Sequence, residues 1–160
     1  MLEEDAKVST YNRIALDGSI ARVEAANNET VDLVPVLARL SGQDDTVRHA
    51  FYCRPEIRHV AKLPREGGFC GYRNIQMIIS YIRGARAPGH QHFVTPPSIL
   101  HLQDMIEHAW EKGFNRSGKI ETGGIRLTRK YIGTPEAQAL FHSLSIPSVQ
   151  RAVHVIEFSW

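Results

Sequence analysis

The feature that most constrains the fold of this chain is an apolar helix that follows directly on a glycine-rich loop. Four isoleucines recur at positions i, i+3, i+4 and i+7, which is the spacing of one apolar face of a helix. They are Ile75, Ile78, Ile79 and Ile82. Gly84 is expected to end this helix in a left-handed conformation, and Pro88 to prevent its continuation. The sequence therefore predicts a mostly buried helix that begins at or just after Cys70.

The loop before this helix contains glycines that allow backbone conformations forbidden to residues with a side chain. They are Gly67 and Gly68, with Gly71 following the cysteine. Unpaired N–H groups and the dipole at a helix N-terminus stabilise a thiolate, and they also stabilise the oxyanion of a tetrahedral intermediate. Two interpretations of Cys70 remain open on this pattern: a nucleophile, or a small core residue buried under a tight turn.

Three blocks of the sequence resemble one family of peptidases. The segment Gly68–Met77 is similar to the catalytic-cysteine motif of the ubiquitin-fold-modifier-specific proteases, above all in their zinc-finger ubiquitin peptidase branch. Leu102–Phe114 resembles a second block of that family. Tyr131–Thr134, followed by a helix and Val153–Phe158, resembles a third. The blocks stand in the family's order and span about Leu33 to Phe158, which is most of the chain.

The resemblance implies an α+β, papain-like cysteine peptidase fold in which Cys70 is the nucleophile. The family's histidine and aspartate lie downstream of the strand that matches Val153–Phe158, so no residue here is assigned to either role, and His154 is interpreted as structural. Tyr52 is a candidate oxyanion donor, at a longer spacing than in the family, and the backbone N–H of Cys70 is another. Phe69 stands where the family often has glycine after tryptophan.

Apolar periodicity and the same resemblance together set the expected domain organisation. Residues 1–30 sustain no apolar periodicity, which predicts a flexible N-terminal segment. Residues 31–160 are expected to form the N-terminal portion of a papain-like peptidase domain, truncated after the first inner strand that follows the helices. A length of 160 residues with 42% apolar and 22% charged residues fits one globular domain.

Turn and capping residues predict the remaining elements. Three further helices are expected, from a cap at Asp32 to Gly42, from Ser98 to Gly113, and from Thr134 to the break at Ile146 and Pro147. A strand is expected over Val47–Cys53, which is rich in strand-forming residues. Ser117–Gly124 is expected to be a polar loop, and Trp110 a core residue.

Two groups of basic residues have alternative interpretations. The segment Arg54–Arg65 contains five basic side chains. It is interpreted as a solvated loop, or alternatively as an edge of the active site that contacts a ubiquitin-like surface. His90 and His92 have no third and fourth ligands nearby at zinc spacing, so neither a metal nor any other cofactor is expected.

Composition restricts the partners and the compartment. A net charge of +2 gives no indication of nucleic-acid binding. No apolar run approaches the roughly 20 residues of a membrane span, and no signal segment follows Met1. Both cysteines, Cys53 and Cys70, are therefore expected to be thiols of an intracellular protein of the cytoplasm or nucleus. The expected partners are ubiquitin or ubiquitin-like conjugates.

Two functional alternatives to an active peptidase follow from the same residues. One is a non-catalytic ubiquitin-binding module, or an inactive fragment of such a protease, because the family's histidine and aspartate are unassigned. The other is a zinc-held structural domain, which is disfavoured because Cys53 and Cys70 are far apart and neither belongs to a C-x-x-C pair.

Overall fold

The structure is a computed structural model, and it describes residues 28–64 and 66–149. Five α-helices lie within these residues: α1 (Leu33–Gly42), α2 (Cys70–Gly84), α3 (Ile99–Glu111), α4 (Arg116–Thr122) and α5 (Thr134–Ser143). The described residues also contain two short strands, β1 (Glu29–Thr30) and β2 (His59–Val60), and a 3₁₀ turn over His90–His92. The expected strand Val153–Phe158, with His154, lies outside the described residues, as does most of the expected flexible segment 1–30.

Helix α2 lies at the centre of the packed helices, as its apolar periodicity predicts. Ile75, Ile79 and Ile82 are buried on its inner face, whereas Ile78 is 41% exposed and lies at the edge of that face. The helix contacts α3, α5, the 3₁₀ turn and strand β2. The prediction of a central helix beginning at Cys70 is confirmed.

The core is formed where α2, α3 and α5 meet. Helix α3 contributes Leu102, Ile106 and Trp110, and α5 contributes Leu140 and Phe141, all at most 4% exposed. Full burial of one such side chain contributes about 1.5–3 kcal/mol. Trp110 is thus a core residue, as predicted.

The predicted helix limits around α3 are confirmed by its capping contacts. The Ser98 hydroxyl accepts a hydrogen bond from the His101 N–H at 3.0 Å, which caps the N-terminus. Gly113 adopts φ 101° just after the last turn, and the Phe114 N–H donates to the Ala109 carbonyl at 3.0 Å.

The predicted end of α2 is wrong in one respect. The left-handed residue is Arg86, with φ 48°, and not Gly84. The Ala87 N–H donates to the Ile82 carbonyl at 3.0 Å, which closes the turn. Gly84 instead permits a close approach of the preceding segment, because a Cβ there would lie 3.2 Å from the Glu56 Cβ.

The two strands do not lie where strand-forming residues predict them. Val47–Cys53 is not a strand, and Phe51 is 95% exposed. In place of the expected strand, the short segment β2 pairs with β1 in an antiparallel arrangement, with Glu29 opposite Val60. Strand propensity alone did not identify it, because a strand forms only where another segment supplies the paired backbone groups.

Ser117–Gly124 is not a loop, since most of it belongs to α4. Its glycine at position 118 would disfavour a helix in isolation. In the fold that glycine is buried, and a Cβ there would lie 2.7 Å from Asn115 Nδ2 and 3.2 Å from Trp110 Nε1. Gly123 and Gly124 adopt φ 65° and 93° and end the helix.

The architecture is α+β in class, with helices predominating and one two-stranded sheet in the described residues. None of the helices described is long and apolar enough to cross a membrane. The mixture of helices and a small sheet agrees with a papain-like peptidase domain.

Candidate active site

Cys70 is the first residue of helix α2, and its side chain is exposed. The helix cap is Phe69, which has no side-chain oxygen to accept the first N–H groups. The first helical hydrogen bond runs from the Arg73 N–H to the Phe69 carbonyl at 3.0 Å. The N–H groups of Cys70, Gly71 and Tyr72 therefore have no acceptor among the described residues. The interpretation of Cys70 as a buried core residue is wrong.

A buried ion pair joins the loop before Cys70 to the helix after it. The Arg73 guanidinium binds both carboxylate oxygens of Glu66, through Nη2 to Oε1 and through Nε to Oε2 at 3.3 Å. The side chains are 4% and 0% exposed. Because guanidinium and carboxylate meet as two parallel bonds, the pair defines orientation as well as distance.

The glycines around Cys70 pack against a second segment, residues 129–132. A Cβ at Gly68 would lie 2.5 Å from the Arg129 carbonyl oxygen, and one at Gly71 would lie 2.6 Å from the Ile132 carbonyl oxygen. Tyr131, which is 70% exposed, borders Gly68. Gly68 and Gly71 are thus required for packing against this chain's own backbone.

Tyr72 and Gln103 connect the start of α2 to the segment before residue 129. Burial raises the pKa of Tyr72, since the phenolate would lose its hydration, and a hydrogen bond from Gln103 opposes this only in part. The Gln103 amide donates to the Thr128 carbonyl at 2.9 Å and accepts from the Leu127 N–H at 2.9 Å. Tyr72 also meets Phe69 edge to face, with ring centroids 5.7 Å apart.

These contacts show which motif residues support the loop. Tyr72 and Arg73 brace it through their contacts with Gln103 and Glu66. Asn74 is exposed on the outer face of α2. Sequence reasoning missed Glu66 and Gln103. A signal for Glu66 was present, since an acidic residue four positions before the cysteine faces an arginine three positions after it.

Tyr52, the candidate oxyanion donor, has its hydroxyl engaged elsewhere. It donates to the Leu37 carbonyl at 3.2 Å and contacts the Ser41 hydroxyl, both on α1. No hydrogen bond joins Tyr52 to Cys70 in residues 28–64 and 66–149, and none joins Cys70 to a histidine there. The oxyanion role of Tyr52 stays a prediction.

The basic segment 54–65 is attached to the fold at Arg58. Its guanidinium binds Glu29 Oε2 at 3.0 Å, and its N–H donates to Ser80 Oγ on α2 at 2.9 Å. Arg54 is exposed. Among the histidines considered as ligands, His90 lies at the surface with Nδ1 3.1 Å from the Ala87 carbonyl. The described residues contain no group of three side chains suited to a metal ion.

Comparison with known proteins identifies the family. The sequence model of peptidase family C78 matches residues 46–157, which include Cys70 and the segment 129–132. The chain belongs to this family.

Three relatives illustrate the similarity. The zinc finger-containing ubiquitin peptidase 1 of Homo sapiens is 31% identical over 100 residues, covering 61% of this chain and 16% of that protein. The Mus musculus protein of that name is 34% identical over 83 residues, 51% of this chain and 14% of that protein. The ubiquitin carboxyl-terminal hydrolase mug105 of Schizosaccharomyces pombe is 33% identical over 82 residues, 50% of this chain and 33% of that protein. The chain thus spans a third or less of these relatives.

Proposed function

We propose that this chain is a thiol-dependent peptidase of the deubiquitinase type, which cleaves ubiquitin or a ubiquitin-like modifier from its conjugates through Cys70. The observation that supports this most directly is the exposed Cys70 thiol at a helix N-terminus whose first N–H groups have no acceptor among the residues that the structure describes. Membership of peptidase family C78 and the names of the relatives supply the class of substrate.

The proposed chemistry follows from this geometry. The Cys70 thiolate attacks the carbonyl carbon of the isopeptide bond, and its sulfur–carbon bond forms as the carbonyl oxygen becomes an oxyanion. N–H groups at the start of α2, that of Cys70 included, donate to this oxyanion. The carbon–nitrogen bond then breaks, and the lysine amine leaves with the proton that the thiol lost on ionising, which gives a thioester. Water then attacks the thioester carbonyl, the carbon–sulfur bond breaks, and the modifier's C-terminal carboxylate and the Cys70 thiol are released.

The rim of the site suggests where the substrate lies. Tyr131 is an exposed aromatic residue beside Gly68, two positions before Cys70. We assign it to the wall that the substrate passes on its way to the thiol. The exposed basic residues of the segment 54–65, such as Arg54, are assigned to electrostatic contact with the modifier. We propose the cytoplasm or nucleus as the compartment in which the protein meets such conjugates.

A non-catalytic ubiquitin-binding module is the second candidate function. It is favoured by the absence of a hydrogen bond between Cys70 and any histidine in the described residues. In that case the fold would bind ubiquitin without transferring an acyl group.

A ubiquitin probe with a C-terminal electrophile separates the two functions. We expect the 160-residue protein to form a covalent adduct that Cys70→Ala abolishes and the matched control Cys53→Ala retains. Saturable binding of ubiquitin without any adduct would contradict the peptidase and support the binding module. A separate assay measures the rate at which the protein hydrolyses a ubiquitin–fluorophore conjugate. This rate depends on a general base, because loss of the base lowers acyl transfer by roughly 10²–10⁴-fold.

A further inference from the structure

We propose that Glu66 is a positioning residue for Cys70, acting through its buried ion pair with Arg73. This inference rests on the proposed function, because it concerns the thiol that the proposed reaction uses. Glu66 lies four residues before Cys70 and Arg73 lies three residues after it. Their bidentate contact closes the intervening chain into a ring that contains the cysteine.

Stability alone is a poor explanation of this pair. Burying two charges costs several kcal/mol of hydration free energy each, and the mutual attraction roughly offsets that cost. An apolar pair of similar volume would stabilise the core at least as well. What the ion pair supplies is orientation, because two parallel hydrogen bonds hold the planar groups in one arrangement.

Arg73 is itself held on its other side. Its Nη1 donates to Gln76 Oε1 at 2.8 Å, and the Gln76 amide donates to the Pro97 carbonyl at 2.8 Å. A relay from Pro97 through Gln76 and Arg73 to Glu66 therefore ties the loop to the segment before α3. The pair is anchored to the fold rather than to the loop alone.

Residues 129–132 hold the same loop through a second set of contacts. Gly68 and Gly71 meet the carbonyl oxygens of Arg129 and Ile132, so the loop has no room to move toward that segment. The Glu66–Arg73 pair ties the loop to α2. Cys70 is thus held at the start of α2 by two separate sets of contacts, although its own side chain is exposed.

The test uses two variants that disturb the pair differently and one control. Glu66→Gln keeps the shape but removes the negative charge, and Arg73→Lys keeps the charge but removes the planar fork. Ile82→Ala is the control, because it opens a cavity on the same helix about 18 Å from Cys70. The neighbouring Arg129 and Tyr131 are unchanged in all three.

The readout is the pH profile of iodoacetamide alkylation at Cys70, measured by mass spectrometry with Cys53 as the internal reference. If the pair positions the thiol, both Glu66→Gln and Arg73→Lys slow alkylation at Cys70 relative to Cys53 and move its profile to higher pH, because the Cys70 sulfur loses contact with the helix N-terminus. Ile82→Ala lowers the melting temperature and leaves the profile unchanged.

Two outcomes would overturn the proposal. If the alkylation profile of Cys70 moved to lower pH in Glu66→Gln, Glu66 would act only as a nearby negative charge. If the profile were unchanged in both variants, the ion pair would have no role at Cys70. The ubiquitin probe is applied in parallel, with capture expected to fall roughly tenfold or more in both variants. If the probe does not capture the wild-type protein, the proposed function is refuted. The alkylation profile of Cys70 still tests whether Glu66 positions the thiol.

Discussion

The carbonyl oxygen of Ile132 lies against Gly71, the second residue of helix α2. A Cβ added at Gly71 would be 2.6 Å from this oxygen and 2.7 Å from Ile132 Cγ1. Real Cβ atoms do not approach a backbone oxygen so closely, so any larger residue must push α2 and the segment 129–132 apart. The position of Cys70 therefore depends on a contact between residues 61 positions apart in the sequence.

Gly71→Val tests this contact. We expect it to lower the free energy of unfolding by about 1–3 kcal/mol, because the added carbons overpack an interface that includes rigid backbone. Phe69→Trp adds volume at a buried side chain and is expected to cost less. Gly42→Ala is the matched control, since nothing lies within 4 Å of a Cβ there. Urea denaturation measures all three, and a larger loss in Phe69→Trp than in Gly71→Val would contradict the packing model.

Cys70 is expected to react faster than Cys53 with iodoacetamide at neutral pH. Both side chains are exposed, so access alone does not separate them. Of the two, Cys70 lies at a helix N-terminus, a position that favours a negative charge on sulfur, whereas Cys53 lies outside the helices and strands. Mass spectrometry of the two peptides measures each rate in one sample. Equal rates would remove the physical basis for assigning Cys70 as the nucleophile.

Glu107 makes part of the stability dependent on pH. Burial alone raises the pKa of this carboxyl, but the Ile125 N–H at 2.7 Å, the Arg126 N–H and Lys119 together lower it below its ordinary value. The charged carboxylate therefore stabilises the folded state at neutral pH, and this contribution is lost as the pH falls through the lowered pKa of Glu107.

Glu107→Gln is the corresponding variant. At pH 7 it is expected to reduce the free energy of unfolding by about 1–3 kcal/mol, the worth of hydrogen bonds to a charged group. The difference from the wild-type protein should narrow as the pH falls through the lowered pKa of Glu107, where its carboxylate becomes protonated. The exposed Glu111→Gln serves as control. A difference that stays constant from neutral to acidic pH would exclude the charge as its cause.

Tyr131→Ala tests the assigned wall of the site. The ring is mostly exposed and borders the loop before Cys70, so its removal is expected to slow capture by the ubiquitin probe. The free energy of unfolding should change by less than about 0.5 kcal/mol, as for other exposed positions. Ile120→Ala, at an 82% exposed position on α4, is the control. Unchanged capture in Tyr131→Ala would place the substrate elsewhere.

Local patterns were sufficient for the elements whose signals lie within a few residues. The isoleucine spacing identified α2, Ser98 and Gly113 identified the ends of α3, and Thr134 identified the start of α5. The motif around Cys70 identified the family, and its glycines indicated a helix start at the cysteine. These features follow from the backbone geometry of one or two turns.

Tertiary contacts decided the rest. Strand β2 forms because β1 pairs with it. Helix α4 contains Gly118, where packing leaves no room for a side chain. Arg86 takes the left-handed conformation that was expected at Gly84. The sequence by itself determined which residue is the candidate nucleophile and which helix presents it. The surroundings of Cys70 depend on the segment 129–132, about 60 residues away, and on a buried Glu66–Arg73 pair. Neither has a periodic signal, because contacts between distant segments form only when the chain has folded.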